Sequence, residues 1–170
     1  FVTLPQGTPA AQTAEALERM ETAARELAAE LEEELGGQPV RHFLASIGDQ
    51  PFRRSEGPAS LTVTADSSAA HLGEVNMELA PAEDRAIGSS EIAQRWRERV
   101  GAIPDAVELT YTASLFSSGE AINVELSGPD VDRLRSFAVA LKDELRSYPG
   151  VQDITDSFRA GKKELELRVT

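Results

Sequence analysis

Two hydrophobic periods follow one another in this chain, and their order is its strongest constraint. Leu17, Met20, Ala24, Leu27, Leu31 and Leu35 recur at three- and four-residue steps, the spacing of one helix face. At Gly36-Gly37 the period changes to two, and Phe43, Ala45 and Ile47 alternate through a strand from Val40 to Ile47. A helix with one apolar stripe has to bury it on another layer, and the flanking strands supply that layer. A coiled coil would also use a seven-residue recurrence, but the heptads are few and strands flank them.

The same alternation continues in both directions. The opening FVTL reads as a strand, with Thr8 and Pro9 as N-cap and first helical position. After β-like Val40–Ile47 comes GDQPFRRSEG, residues 48–57, a loop with Gly at both ends and longer than a hairpin needs. A further strand runs through Leu61 and Val63, residues 66–74 are turn-rich, and Val75, Met77 and Leu79 alternate as another strand or a continuation of the same one. Ser89 or Ser90 caps a second helix whose stripe is Ile92, Trp96, Val100 and Ile103, with Pro104 as its stop. Val107, Leu109 and Tyr111 form the next strand.

Residues 1–116 thus read β-α-β-β-α-β, which predicts an α+β fold of the ferredoxin-like, split β-α-β type, with both helices on one face of an antiparallel sheet. FSSGE, residues 116–120, reads as a short hinge. The order then restarts in residues 120–170. Ile122, Val124 and Leu126 alternate; Asp130 caps a stripe of Val131, Leu134, Phe137, Leu141 and Leu145; and Pro149-Gly150 turns the chain into a strand from Val151 to Phe158. Gly161 and Lys162 mark a turn before Leu165, Leu167 and Val169. This second unit reads β-α-β-β, truncated, with one helix to cover its sheet. The strand-like start and end lead us to expect a piece of a longer protein.

Composition narrows the function. Asp plus Glu number 29 against 17 Lys plus Arg, a formal charge of −12, which repels nucleic acid and anionic lipid surfaces. With six Phe, two Tyr and one Trp, a stacking platform for bases is poorly supplied. The absence of cysteine removes disulfides, thiolate metal sites and Cys nucleophiles. No stretch approaches the ~20 apolar residues that span a bilayer, and no basic-then-apolar leader opens the chain.

The segment LSGPDVDRLRSFAVALKDELRSYPGVQDI, residues 126–154, resembles a recurring stretch of acriflavine-resistance-like, resistance-nodulation-division efflux transporters. Its marks are Leu126, Gly128, Asp130, Leu134, Ala138, Leu141, Leu145, Pro149-Gly150-Val151 and Asp153-Ile154, continued by Gly161, Glu164, Leu165 and Leu167. Upstream, LPQGTPAAQT resembles the strand-to-helix turn of the preceding subdomain in that family, and Leu79, Arg85, Ser89, Glu91, Ile92 and Arg97 resemble the start of its second helix. The resemblance covers nearly the whole chain. It implies the periplasmic porter region of an inner-membrane protein, in the C-terminal half of the transporter. Residues 1–116 would be a first porter subdomain and 120–170 the opening of a second.

Further implications of the resemblance are a homotrimer with two sister protomers, a periplasmic adaptor, an outer-membrane channel, small amphiphilic substrates, and drive by protons through membrane-embedded carboxylates. The loop after the second strand would lie between substrate pockets. Phe52 would then touch substrate, Arg53 and Arg54 would add charge, and Gly48 and Gly57 would act as hinges. The adjacent arginines and fewer glycines depart from the drug-pump pattern and point to an amphiphilic or anionic substrate; a solvated surface loop is the alternative. Soft-metal export would need sulfur ligands, whereas Met20 and Met77 sit on apolar stripes.

The residues give no catalytic reading and no cofactor. His42 and His71 lack a third ligand at metal-site spacing. Ser117-Ser118-Gly119 lacks a nucleophile-elbow pattern, and the turn Pro5-Gln6-Gly7-Thr8 has no arginine to hold phosphate. The rival to the transporter reading is a stand-alone ligand-binding or regulatory module built from tandem ferredoxin-like units.

Overall fold

The computed structural model describes residues 1–52, 69–113 and 122–158. The chain divides into two compact units, Phe1–Ser117 and Ser118–Thr170. The expected strand at Leu61 and Val63, the hinge at 116–120 and the segment from Gly161 to Val169 lie largely or wholly outside the described residues.

In the first unit the described elements are β1 (Val2–Thr3), α1 (Ala10–Leu35), β2 (Val40–Ile47), β3 (Leu72–Leu79), α2 (Ser89–Val100) and β4 (Glu108–Leu109), with a 3-10 turn at Ala82–Asp84 before α2. The strands form an antiparallel sheet in the order β2-β3-β1-β4. This is a mixed α+β architecture compatible with the ferredoxin-like arrangement expected from the sequence.

α1 forms because its stripe is continuous: Leu17, Met20, Ala24, Leu27 and Leu31 are buried and Leu35 packs at the edge of the same core. Gly36, at φ +70, ends the helix with its N–H on the Glu32 carbonyl, a conformation that glycine adopts without the strain a Cβ brings. α2 contributes Ile92, Trp96 and Val100 to that core, followed by Ile103. The Trp96 indole N–H donates to the Met20 carbonyl at 2.9 Å, and its ring meets Tyr111 edge-on at 5.1 Å. Burying each of the large side chains is worth about 1.5–3 kcal/mol.

Three further contacts tie the helices. Arg19 donates to the Val100 carbonyl at the C-terminal end of α2, 2.7 Å, satisfying a helix-end acceptor. Arg95 bridges Glu34 at 2.6 Å and Glu91 at 2.9 Å, and Arg99 pairs with Glu30. The hydrogen bond from Arg95, with its charge, holds the exposed Glu34 carboxyl below its ordinary pKa.

Helix starts differ from the expectation. Pro9, not Thr8, holds the N-cap position of α1. The Pro5–Thr8 turn consumes Thr8, whose backbone N–H and hydroxyl both donate to the Pro5 carbonyl. Gly88 precedes α2, so Ser89 and Ser90 are its first two residues rather than its cap. β4 is shorter than Val107–Tyr111 because its partner β1 is short; beyond the two-residue ladder, Val107 donates to Thr3 and Thr110 to Phe1.

β3 runs through the middle of the sheet, and Gly73 is where α1 comes closest to it. A Cβ there would lie 2.8 Å from Leu17 Cδ2, so a larger residue would push the helix off the strand. The β2–β3 ladder carries a bulge between Val40 and His42.

The second unit holds α3 (Val131–Arg146). The Asp130 side chain accepts the Arg133 backbone N–H at 3.1 Å, as its N-cap. After the helix, Val151 N–H donates to the Tyr148 carbonyl, and Gly150 has φ +87. Pro at the second position and a positive-φ Gly at the third is the chemistry of a type II turn.

The strands expected at Ile122–Leu126 and Val151–Phe158 are not formed among the described residues. Alternation creates a two-sided segment, but a ladder needs a neighbour, and these segments have none among the described residues. Residues 156–158 return to the helix instead. Lys142 Nζ meets Asp156 at 2.5 Å, and the Arg135 guanidinium lies 4.2 Å from the Phe158 ring centre, a cation–π contact. Leu134, Ala138, Leu141 and Leu145 are half-buried, while Val131 and Phe137 of the expected stripe are exposed.

Candidate functional site

The segment singled out from the sequence as a loop leaves the end of β2, and the structure describes its first five residues. Of these, Pro51 and Phe52 are helical rather than loop, because a proline suits the first turn of a helix, where no N–H is required. Gly48 has φ +82, a left-handed conformation that favours glycine. It is buried and tied at both backbone atoms: its N–H donates to the Leu72 carbonyl at 2.8 Å and its carbonyl accepts from Ala69 at 3.2 Å. The Ser46 hydroxyl donates to the Asp49 carbonyl at 3.0 Å, and the Asp49 carboxylate accepts the Gln50 N–H at 2.8 Å.

Gln50 then turns inward. It is 8 % exposed, and its amide donates to the Val2 carbonyl at 3.0 Å and the Gly73 carbonyl at 3.1 Å. The side chain therefore spans the two central strands. Pro51 follows and has no N–H to donate. The next donor, the Phe52 N–H, faces both oxygens of Glu74 at 3.3 and 3.2 Å. Asn76 donates its side-chain amide to the same carboxylate.

Strand alternation explains where Glu74 sits. Gly73 and Val75 face the helices, so Glu74 between them projects from the opposite face. Thr3 and Glu108, opposite each other in the β1–β4 register, are buried residues of that same face. That sheet face therefore carries buried polar groups at the end from which the loop departs.

Phe52 is 42 % exposed and stands on this base. Of the residues expected at the site, Phe52 and Gly48 are thus placed on one short stem. Arg53, Arg54 and Gly57 lie outside the described residues. Gln50, Glu74 and Asn76 were not anticipated. In LGEVNMEL the two glutamates and the asparagine alternate with apolar residues and read as a solvated face, and Gln50 carries no pattern of its own.

Elsewhere in the first unit, a cleft of about 530 Å³ opens between the start of α1 and residues 103–105. Leu4, Ala16, Ile103 and Pro104 give it apolar walls, and Gln12 and Asp105 line it with polar groups. Among the described residues no group of three His, Asp or Glu side chains is placed to hold a metal ion. His42 lies in β2 and His71 in the turn before β3. No helix among the described residues is long and apolar enough to cross a membrane. Comparison with protein-family models, curated proteins and solved structures gave no match.

Proposed function

We propose that this chain forms part of the substrate path of a proton-driven efflux transporter of the resistance-nodulation-division type, on the periplasmic side of the inner membrane. Residues 1–116 are read as a first porter subdomain and 120–170 as part of a second. The chain carries substrate contacts and no catalytic step. In such a transporter three protomers exchange binding states, protons moving through membrane-embedded carboxylates supply the energy, and an adaptor and an outer-membrane channel complete the route.

The observation that carries the reading is the position of Phe52. The sheet order β2-β3-β1-β4, beneath two helices, delivers an exposed aromatic ring at the end of β2. This is where the sequence resemblance puts the loop that meets substrate. An exposed aromatic side chain on a fixed stem suits contact with small amphiphilic molecules.

The test uses the full-length parent protein, returned to a strain lacking it and scored against a panel of cationic, zwitterionic and anionic amphiphiles. Phe52→Ala is expected to change export of a subset while expression and trimer assembly persist. Export of every compound at the native level would remove this loop from the mechanism.

The cleft beside α1 favours a second reading, a ligand-binding or regulatory module. That reading predicts saturable binding of a small ligand to the 170-residue chain, weakened by Ile103→Ala, and no export phenotype for Phe52→Ala.

A further inference from the structure

Glu74 is a carboxylate with 1 % of its surface exposed. Taking an ionised carboxylate out of water is costly unless it is paired or well hydrogen-bonded. No ion pair to Glu74 is present among the described residues. Its partners are N–H donors: the Phe52 backbone, shared between both oxygens, and the Asn76 amide. A strand position facing away from the helices is served well by Thr or Val, so the carboxylate contributes something that sheet formation does not require.

We propose that Glu74 is a positioning residue for Phe52. It captures the Phe52 N–H, and Gln50 pins the same stem to β1 and β3. Two features of the stem make this capture decisive. Pro51 has no N–H, so Phe52 offers the first backbone donor after Gln50. Gly48 is bonded at both ends, so the stem is fixed before the chain reaches Phe52. With its backbone held at N, the Phe52 ring meets a ligand from one orientation and little ordering is left for binding to impose. The consequence for export rests on the function proposed above; the capture itself does not.

The experiment reads amide hydrogen exchange by NMR on the 170-residue protein. In native protein the Phe52 amide is expected to be protected. Glu74→Leu keeps volume and removes the acceptor, and the Phe52 amide should then exchange about 10- to 100-fold faster, the range for losing a hydrogen bond to a charged group. Glu74→Gln keeps one oxygen acceptor and should lose less, about 3- to 10-fold. Amides in the buried half of α1 should not change. Phe52 exchange within about twofold of native in both variants overturns the proposal. If Glu74→Leu fails to fold, unchanged exchange in Glu74→Gln is enough to overturn it.

In the full-length protein, Glu74→Leu should shift export of the same compounds as Phe52→Ala, and the double variant should go no further. An additive double variant would mean that Glu74 acts by another route and would also overturn the assignment. Faster exchange with native export of all compounds would sink the transport reading and leave the capture standing. Unchanged exchange sinks the capture whatever export does.

Discussion

Adding one methyl group at Gly73 tests how closely α1 is seated on the sheet. A Cβ on Gly73 would lie 2.8 Å from Leu17 Cδ2 and 3.0 Å from both Cδ1 and Cγ, where carbon atoms normally settle about 3.5–4.0 Å apart. Leu17 is 3 % exposed, and the approach of its Cγ as well as its methyls means that a rotation of the side-chain tip does not clear the overlap. Overpacking of this kind costs about 1–3 kcal/mol. Gly73 does not have a positive φ, so alanine also restricts the unfolded chain, which stabilises by about 0.4–1 kcal/mol. Gly73→Ala is therefore expected to destabilise by about 0.5–2 kcal/mol. Leu17→Ala alone opens a cavity and costs about 2–5 kcal/mol. In the double variant the new methyl enters the space that Leu17 leaves, so the two costs should fall short of their sum by about 1–2 kcal/mol. Urea unfolding followed through Trp96 measures this directly, because the single tryptophan lies in the same core. Additivity within about 0.5 kcal/mol would refute the contact, and so would a Gly73→Ala protein more stable than native.

Asp130→Ala removes the acceptor for the Arg133 N–H and should cost α3 about 0.5–2 kcal/mol; backbone chemical shifts of residues 131–134 will move toward coil values, and unmoved shifts would count against the cap. Arg95→Gln tests the ion pair on the helix surface. The carboxyl of Glu34 is lowered in the folded protein by the Arg95 hydrogen bond and charge. Its contribution is therefore present above the unfolded-state pKa and disappears as pH falls through the lowered folded-state value. Native and Arg95→Gln proteins should differ slightly at neutral pH and converge in acid. High salt should shrink the neutral-pH difference as well, and a gap that persists in acid would refute the assignment.

The helices of the first unit were legible because each carries one uninterrupted stripe. Leu17 through Leu31 and Ile92 through Ile103 recur at helical spacing and are the residues that became buried. β2 and β3 were legible as alternating runs, although the start of β3 at Leu72 lies inside a stretch that reads as turn. Helix starts were less legible: Thr8 and Ser89 are good capping types, yet a neighbouring turn at Pro5 and an extended Gly88 used those positions differently. The pattern at Ile122 and Val124 shows a further limit. Alternation describes which way side chains face, while strand formation depends on a neighbour whose presence the local sequence does not encode.

The site was legible in part. Phe52 stands out as an aromatic in a stretch that reads as a long loop; it is exposed, but it lies in a helical turn that the loop reading did not foresee. Gln50 and Glu74 are ordinary polar residues in ordinary places. Their burial follows from tertiary geometry: the loop stem folds over the polar face of β3, and neither residue type announces that covering. A charged residue on the alternate face of a strand normally points to water, whereas Glu74 belongs to a buried network.

The arrangement of the sheet also sets an order of assembly. β2 and β3 pair along their whole length and α1 precedes them directly, so these pieces can find each other early. β1 sits between β3 and β4, and Val2 pairs with both Gly73 and Leu109. β1, one of the two central strands, is therefore the segment with the most distant partners, and closing those loops has an entropic cost that rises with their length. A ribosome-bound chain can hold the β2–β3 ladder while β1 still lacks one flank. Until Leu109 emerges, β1 is an open edge, and that interval is when a chaperone or a neighbouring nascent chain would find it.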